Sequence, residues 1–210
     1  MRFQRFLSVL LLGAAFLAGS AYADTAPDAL VKQVSNEVID AVKADKAIQG
    51  GDVQRINAMV DAKVMPHVNF KRMTSASVGR YWRSATPEQQ NRLQEEFKTL
   101  LVRTYSGALT QVKEQTTVVL KPIRAQATDS EVVVRTEVRN SGNEPIQLDY
   151  RLEKAGDTWR VYDINVGGIW LVEQYRNSFA QEIGANGVDG LIAKLAERNK
   201  SAGGKSAAKG

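Results

Sequence analysis

The sequence predicts an α+β fold in which an antiparallel four-stranded meander packs against several helices. Three observations predict it. Before residue 116, apolar residues recur at spacings of three and four, which is the period of amphipathic helices. Between residues 116 and 166 they alternate with polar residues and are separated by turn sequences, as in consecutive antiparallel strands. The helical spacing returns after Gly167-Gly168.

The amino-terminal segment has the three parts of a secretory signal peptide. Arg2 and Arg5 precede an apolar run over 6–18, and the small-x-small triplet 21–23 follows. The run is shorter than the roughly 20 apolar residues that span a bilayer. We therefore predict a cleaved signal peptide over 1–23 and an exported, soluble protein.

The chain carries 28 Lys+Arg against 23 Asp+Glu, but its excess of positive charge lies at the ends. Two arginines belong to the predicted signal peptide and three lysines to the segment 200–210, whose Gly/Ala/Ser/Lys composition predicts a disordered basic tail. The remaining 23 basic and 23 acidic residues form no cluster of the kind that nucleic-acid binding needs. We expect one domain over 24–199 and no nucleic-acid partner.

Two amphipathic helices are predicted at the start of this domain. The first runs from Pro27 to about Ala47, with apolar residues four apart along one stripe. Gly50-Gly51 ends the connection, and Asp52 caps a second helix that reaches Val64. The expected arrangement is two helices on a shared core.

The next segment breaks into short helical turns around Gly79. Thr86, Pro87 and Gln89 then predict a capping box at the start of the longest helix, which reaches about Val112. Its apolar stripe is wide enough to contact both a sheet and another helix.

Four strands joined by short turns form the predicted meander. They are Thr116–Ile123, Glu131–Arg139, Pro145–Lys154 and Trp159–Val166. Strict alternation in the last strand predicts that Trp159 and Val161 point to one face of the sheet and that Tyr162, Ile164 and Val166 point to the other.

A helix is predicted directly after Gly167-Gly168, with Gly184 as its carboxyl-terminal cap and a short final helix around Leu191. Its apolar side consists of Ile169, Val172, Tyr175 and Phe179.

Catalytic chemistry has few candidates in this sequence. His67 is the only histidine, there is no cysteine, and no hydrolase elbow, zinc-protease, P-loop or dinucleotide motif is present. Asp163 is the best acidic candidate, because it lies in an apolar strand near two glycines. An uncompensated buried carboxylate is costly, so Asp163 is either exposed, has a raised pKa, or is held by backbone amides or an arginine such as Arg176. We favour a structural role, in which the carboxylate pins the strand-to-helix turn. Asp149 is expected on the wet face of the sheet.

Several predicted elements have apolar faces that must be buried. The dry face of the sheet, the aromatic-rich segment 70–82 and the last two long helices all require burial. A sheet that curls away from its helices leaves an apolar cavity, and such cavities are the default ligand sites. Most of this surface must form ordinary core, and the pattern alone does not distinguish a filled core from a hollow one.

Three blocks carry a family resemblance. They are VMPHVNFKRMTSASVGRYWRSATPEQQNRLQEEF, then Leu148-Asp149-Tyr150 with Trp159 and Tyr162-Asp163, then Phe179 with Gly187-Val188-Asp189-Gly190-Leu191. Their order and spacing resemble the MlaC family, the periplasmic phospholipid-binding proteins of the Mla lipid-asymmetry pathway, also called the toluene-tolerance family. The chain departs from the family pattern at Gly167-Gly168-Ile169-Trp170, where a loop acid and a small polar residue are usual. Trp170 could therefore narrow the mouth of a pocket or dock on a partner.

The resemblance implies a non-enzymatic periplasmic carrier that encloses phospholipid acyl chains in an apolar cavity between sheet and helices. It implies shuttling between an outer-membrane lipoprotein–porin complex and an inner-membrane ABC transporter, which maintains outer-membrane lipid asymmetry. Phospholipid is the cargo, no cofactor or metal is expected, and the expected oligomeric state is a monomer. The side chains expected to line the cavity are Phe70, Val78, Trp82, Phe97, Leu101, Val134, Leu148, Tyr150, Leu152, Val161, Ile169 and Val172.

Two other functions fit the residues. One is a periplasmic hydrolase of lipids or envelope polymers with Asp163 as its base. The other is a structural adaptor with a solid core, whose helices bind another protein.

Overall fold

A computed structural model of the chain describes residues 26–123, 126, 128–140, 142 and 144–204, the side chains of 202–204 excepted. The predicted signal peptide and residues 205–210 lie outside the described residues, as do Ser141 and Asn143 of one predicted turn. The helices are α1 (Pro27–Ala44), α2 (Lys46–Gln49), α3 (Val53–Met59), α4 (Phe70–Val78), α5 (Pro87–Leu109) and α6 (Leu171–Gly204). A π-helix over Val60–Val64 and 3₁₀ turns over Met65–His67 and Gly79–Arg83 lie between α3 and α5. The strands are β1 (Thr117–Leu120), β2 (Glu131–Arg139), β3 (Ile146–Ala155), β4 (Thr158–Val166) and β5 (Ile169–Trp170).

Both predicted amino-terminal helix caps are confirmed. The Asp52 carboxylate accepts hydrogen bonds from the amides of Gln54 and Arg55 at the start of α3. At the start of α5, the Thr86 hydroxyl accepts from the Gln89 amide at 3.2 Å, and the Gln89 side chain accepts from the Thr86 amide at 3.0 Å. Each cap satisfies amide groups that a helix leaves unpaired at its first turn.

The α+β class and the antiparallel order are confirmed, but the sheet has five strands in the order β1-β2-β3-β4-β5. The added strand is Ile169–Trp170, which pairs with the end of β4. The prediction that a helix starts at Ile169 is therefore wrong. Gly167 and Gly168 have φ angles of 59° and 94°, so the chain folds back as a tight hairpin before α6 begins at Leu171.

The pairing of β3 with β4 contains an irregularity that reorients half of β4. Leu152 lies opposite Val161, whereas Arg151 lies opposite Asp163, so Tyr162 is an extra residue in β4. Because side chains alternate along a strand, one inserted residue reverses the alternation beyond it.

The bulge gives β4 a continuous apolar row on one face of the sheet. Ile164 and Val166 lie opposite Tyr150 and Leu148 in the ladder, on the same face as Val161. We call this the inner face. The prediction that Val161 and Ile164 point in opposite directions is wrong, because a local insertion cannot be read from alternation alone.

Asp163 is displaced to the outer face by the bulge and is only 1 % exposed. Its Oδ1 accepts hydrogen bonds from the amides of Ile164 at 2.9 Å and Val172 at 3.1 Å, and its Oδ2 accepts from Arg151 Nη1 at 3.0 Å. Burial raises the pKa of the Asp163 carboxyl, and these hydrogen bonds offset part of the rise. The side chain thus fixes the first turn of α6 to β4.

Backbone amides and an arginine hold Asp163, as predicted, but the arginine is Arg151 and not Arg176. Arg176 Nε donates instead to the carbonyl of Ala76 on α4, at 3.0 Å. The actual partner, Arg151, lies directly opposite Asp163 on the neighbouring strand, so register and not proximity in sequence selects it.

Asp149 corrects another expectation, because it is buried and not solvated. Its Oδ2 accepts from Gln147 Nε2 at 2.8 Å. Asn165 lies opposite it, and β5 places Trp170 beyond Asn165 in the same row. The unpredicted fifth strand thus extends the sheet on that side of Asp149.

The last helix is interrupted at Gly187, where φ is 73° and ψ is −180°, and not at Gly184, which remains helical. The predicted cap is therefore three residues too early. The helix continues to Gly204, so it enters the segment for which the sequence predicts a disordered tail.

All buried hydrophobic residues of the described chain except Ile39 and Ala85 pack into three clusters. The Phe97 cluster joins α4, α5 and α6 and consists of Met73, Val78, Leu93, Phe97, Leu100, Leu171, Val172, Tyr175, Phe179, Ile183, Leu191 and Leu195. The sheet cluster joins α1 to the inner face and consists of Leu30, Val31, Val132, Val134, Leu152, Trp159 and Val161. The Ile56 cluster joins α1, α2 and α3 and consists of Val42, Ile48, Ile56 and Met59.

We expect Asp163→Ala to lower the free energy of unfolding by about 3 kcal/mol, because the amides of Ile164 and Val172 and the Arg151 guanidinium lose their acceptor. Asp163→Asn keeps one oxygen acceptor and should lose clearly less. Urea denaturation followed by circular dichroism measures both. Asp40→Ala, at an exposed position of α1, is the control and should change stability by less than about 0.5 kcal/mol. An unchanged stability in Asp163→Ala would contradict the assignment.

Candidate functional site

An apolar pocket of about 410 Å³ lies between the sheet and the helices. Its helical wall consists of Leu30, Val31, Val34, Ser35, Val38 and Ile39 of α1, Val60 and Val64 of the π-helix, Met65, His67, Val68, Phe70, Met73, and Lys98, Leu101, Val102, Tyr105, Ala108 and Leu109 of α5. The remaining lining residues are Val112, Val118, Val138, Asn140, Ile146, Leu148, Tyr150, Val161, Ile164, Val166 and Leu171. Nearly all of this surface is hydrocarbon.

Helix α1 illustrates why the pocket remains open. Near its start, Leu30 and Val31 are buried in the sheet cluster, and near its end Val42 is buried in the Ile56 cluster. Between these anchors, Val34 and Val38 are only half-buried and line the pocket. Protein interiors are normally close-packed, so half-buried valines in the middle of a helix that is anchored on both sides indicate unfilled space.

Helix α5 is divided in the same way. Phe97 and Leu100 are buried in the Phe97 cluster, whereas Leu101 and Tyr105, on the adjoining side of the helix, line the pocket. The aromatic rings around Phe97 pack closely, with ring centroids 4.9 Å from Tyr175. A rigid cluster therefore holds α5 in place while its other side faces the hollow.

The inner face of the sheet forms the opposite wall. Leu148 and Tyr150 of β3 and Val161, Ile164 and Val166 of β4 line the pocket. The bulge at Tyr162 is what brings the last two side chains to this face. Without it, the polar side chains of β4 would face the hydrocarbon.

The few polar groups of the lining are mostly paired. Ser35 and Thr136 hydrogen-bond the Tyr150 hydroxyl, whose pKa is raised by burial. Asn140 Oδ1 accepts from the hydroxyl of Thr116. Lys98 is the only lysine or arginine among the lining residues that the structure describes.

Five of the twelve side chains expected to line a cavity lie in the pocket wall. They are Phe70, Leu101, Leu148, Tyr150 and Val161. The other seven do not. Val78, Phe97 and Val172 are buried in the Phe97 cluster, with Trp82 packed against it, and Val134 and Leu152 are buried in the sheet cluster.

Ile169 is the clearest correction among these residues, since 56 % of its surface is exposed. It lies in β5 at the edge of the sheet and not on the inner side of a helix. Its neighbour Trp170 is also outside the pocket lining and stacks under the Arg151 guanidinium, 3.9 Å from the ring centroid. Trp170 therefore braces the outer face and does not narrow the pocket.

Sequence reasoning missed most of the α1 and π-helix wall, including Val34, Val38, Val60 and Val64. A signal was present: α1 also carries Val31 and Ile39, so it has more apolar positions than one narrow stripe requires. Such an excess predicts that a helix has two apolar neighbours. It does not predict that one of them is empty space.

The pocket lining includes His67 but not the acidic candidate for catalysis. Asp163, the candidate base, is not part of the lining, and both its oxygens accept hydrogen bonds from structural groups. Among the described side chains, no group of three or more His, Cys, Asp or Glu could hold a metal ion.

Phe97 lies in the packed core and Leu101 adjoins the pocket, so their truncation should lower the free energy of unfolding by different amounts. We expect Phe97→Ala to cost about 3–5 kcal/mol of unfolding free energy, because it empties a packed site. Leu101→Ala should cost less than about 2 kcal/mol, because the side chain already adjoins open space. Urea denaturation of lipid-free protein tests this, and equal losses would contradict it.

Comparison with known proteins gives relatives along most of the chain. The Pseudomonas putida "Toluene tolerance protein ttg2D" is 28 % identical over 202 residues, covering 92 % of each chain. The Haemophilus influenzae "Intermembrane phospholipid transport system binding protein MlaC" is 23 % identical over 188 residues, covering 88 % of this chain and 87 % of the relative.

A solved structure is also similar. It is that of a phospholipid-binding protein from Ralstonia solanacearum in complex with a phospholipid, at 1.53 Å resolution. It is 47 % identical, with a TM-score of 0.80, and the match covers 84 % of this chain and 98 % of that one. The family model described as "MlaC protein" matches residues 32–197. The chain therefore belongs to the MlaC family.

Proposed function

We propose that this protein is a carrier that takes the acyl chains of a phospholipid into its apolar pocket and moves the lipid between two membranes. The observation that carries the proposal is the hollow itself, an almost purely apolar space held open between the inner face of the sheet and the α1–α5 wall. Membership of the MlaC family and the phospholipid-bound Ralstonia relative support the same class of cargo.

The physical need for such a carrier is large. Exposing two acyl chains of about 16 carbons to water costs roughly 25 kcal/mol, at about 0.8 kcal/mol per methylene. A lipid therefore does not cross an aqueous compartment unshielded. A protein pocket that replaces the apolar surroundings of the bilayer removes most of this cost. Because the lipid then has little net preference for either site, partners must set the direction of transfer.

The compartment in this proposal is the periplasm. The predicted signal peptide over 1–23 supports export, and the Haemophilus relative is named as part of an intermembrane phospholipid transport system. Within the described part of the chain, no helix combines the length and apolarity needed to cross a bilayer. We propose as partners an outer-membrane lipoprotein–porin complex and an inner-membrane ABC transporter, whose combined action would maintain lipid asymmetry.

A non-enzymatic role is part of the proposal. The hydrolase alternative needs Asp163 as a base, yet this carboxylate lies outside the pocket lining and holds the start of α6. The adaptor alternative needs a solid core, which disagrees with the half-buried apolar side chains around the hollow. Phospholipid turnover that persists in the native protein and stops in Asp163→Asn would favour the hydrolase.

We expect Leu148→Asp and Val161→Asp to abolish co-purification of lipid while the protein is still exported, because each places a carboxylate on the pocket wall. Lipid extracted from the purified variants measures the effect. Val133→Asp makes the same chemical change on the outer face of β2, away from the pocket lining, and should retain lipid. Retained lipid in folded Leu148→Asp would contradict the assignment of this wall.

Native mass spectrometry of freshly purified protein distinguishes the three functions. An intact diacyl lipid bound to the chain is the expected result. Lyso-lipid or free fatty acid would indicate a hydrolase, and an empty chain would leave the adaptor.

A further inference from the structure

We propose that Lys98 binds the anionic phosphate of the lipid and so fixes where the head group sits on the pocket, an inference that rests on the proposed function. Lys98 is the only lysine or arginine among the described lining residues of an otherwise apolar space. Among the other polar lining side chains, Tyr150 and Asn140 are neutral and already paired within the protein, and His67 is the one further basic side chain of the described lining.

Lys98 lines the pocket, and its side chain is partly exposed to solvent. Its Nζ donates to Asp61 Oδ1 at 2.7 Å, and the two side chains are 29 % and 52 % exposed. The lysine is therefore accessible to a polar head group that remains in water while the acyl chains occupy the pocket.

The partner of Lys98 is easily replaced. An ion pair with this exposure contributes only about 0–1 kcal/mol, because both charges remain well solvated when apart. A phosphate offers the ammonium the same charge-assisted hydrogen bond, and its acyl chains hold it in place. Asp61 thus keeps the lysine oriented in the lipid-free state and returns to water when the phosphate binds.

The backbone that carries Asp61 is unusual in the same place. Asp61 lies in the π-helix, and Val60 and Val64 of that segment line the pocket. Such π-turns are rare and often occur at functional sites. Here the wider turn places Val60 and Val64 on the pocket wall and brings the Asp61 carboxylate within reach of Lys98 on α5. One segment therefore both lines the pocket and pairs with the lysine.

The dependence of lipid affinity on the head group distinguishes phosphate binding by Lys98 from a purely structural ion pair between α5 and the π-helix. Full-length mature protein is stripped of lipid and titrated with phosphatidylglycerol or with diacylglycerol of the same chains. We expect Lys98→Gln to weaken phosphatidylglycerol binding about 10-fold and diacylglycerol binding less than about 2-fold. Lys98→Arg should restore phosphatidylglycerol binding, and Asp61→Asn should leave it unchanged or stronger.

The control is Lys63→Gln, on the same π-helix, whose ammonium lies 4.0 Å from Glu37 and which is not part of the pocket lining. It should not change either affinity. Equal losses for the two lipids in Lys98→Gln, or the same loss in Asp61→Asn, would overturn the proposal in favour of a structural ion pair.

Two further arms complete the test. Excess inorganic phosphate should not displace phosphatidylglycerol, since it lacks the chains; displacement would assign the lysine to a free anion. Native protein that binds neither lipid would overturn the proposed function and this inference together. Native protein that binds phosphatidylglycerol with an unaltered affinity in Lys98→Gln would overturn the inference alone.

Discussion

One inserted residue in β4 is the constraint on which the rest of the structure depends. Tyr162 has no partner in the β3 ladder, so the side chains beyond it change faces. Ile164 and Val166 join the apolar inner face, and Asp163 moves to the outer face. The bulge therefore places two apolar side chains on the pocket wall and positions the carboxylate that binds the first turn of α6. The Tyr162 side chain is held in turn: its hydroxyl donates to Glu131 at 2.9 Å, and the Arg72 guanidinium lies 3.6 Å from its ring centroid.

The closely packed clusters and the apolar pocket occupy different parts of the molecule. Three packed clusters anchor the helices, and the hollow lies among them. Dense packing within these clusters therefore holds the walls of the pocket in place.

Side chains on the outer face of the sheet link its strands to helix α6. Arg151 links Asp163 to Glu173 of α6 and covers the ring of Trp170. This network ties together β3, β4, β5 and the first turn of α6. Gly167 and Trp170 therefore stabilise the sheet edge, through the tight hairpin and the ring stacked on Arg151.

Features that depend on neighbours a few residues apart could be predicted from the amino-acid sequence. The caps at Asp52 and Thr86 and the extents of β2 and β4 follow from local hydrogen bonding and side-chain alternation. The register at Tyr162, the Arg151 partner of Asp163 and the side of α1 and α5 that faces the pocket could not be predicted, because they are set by long-range packing. These features depend on how closely segments that are distant in sequence pack against one another. An apolar side chain has the same pattern in sequence whether it meets a packed neighbour or open space.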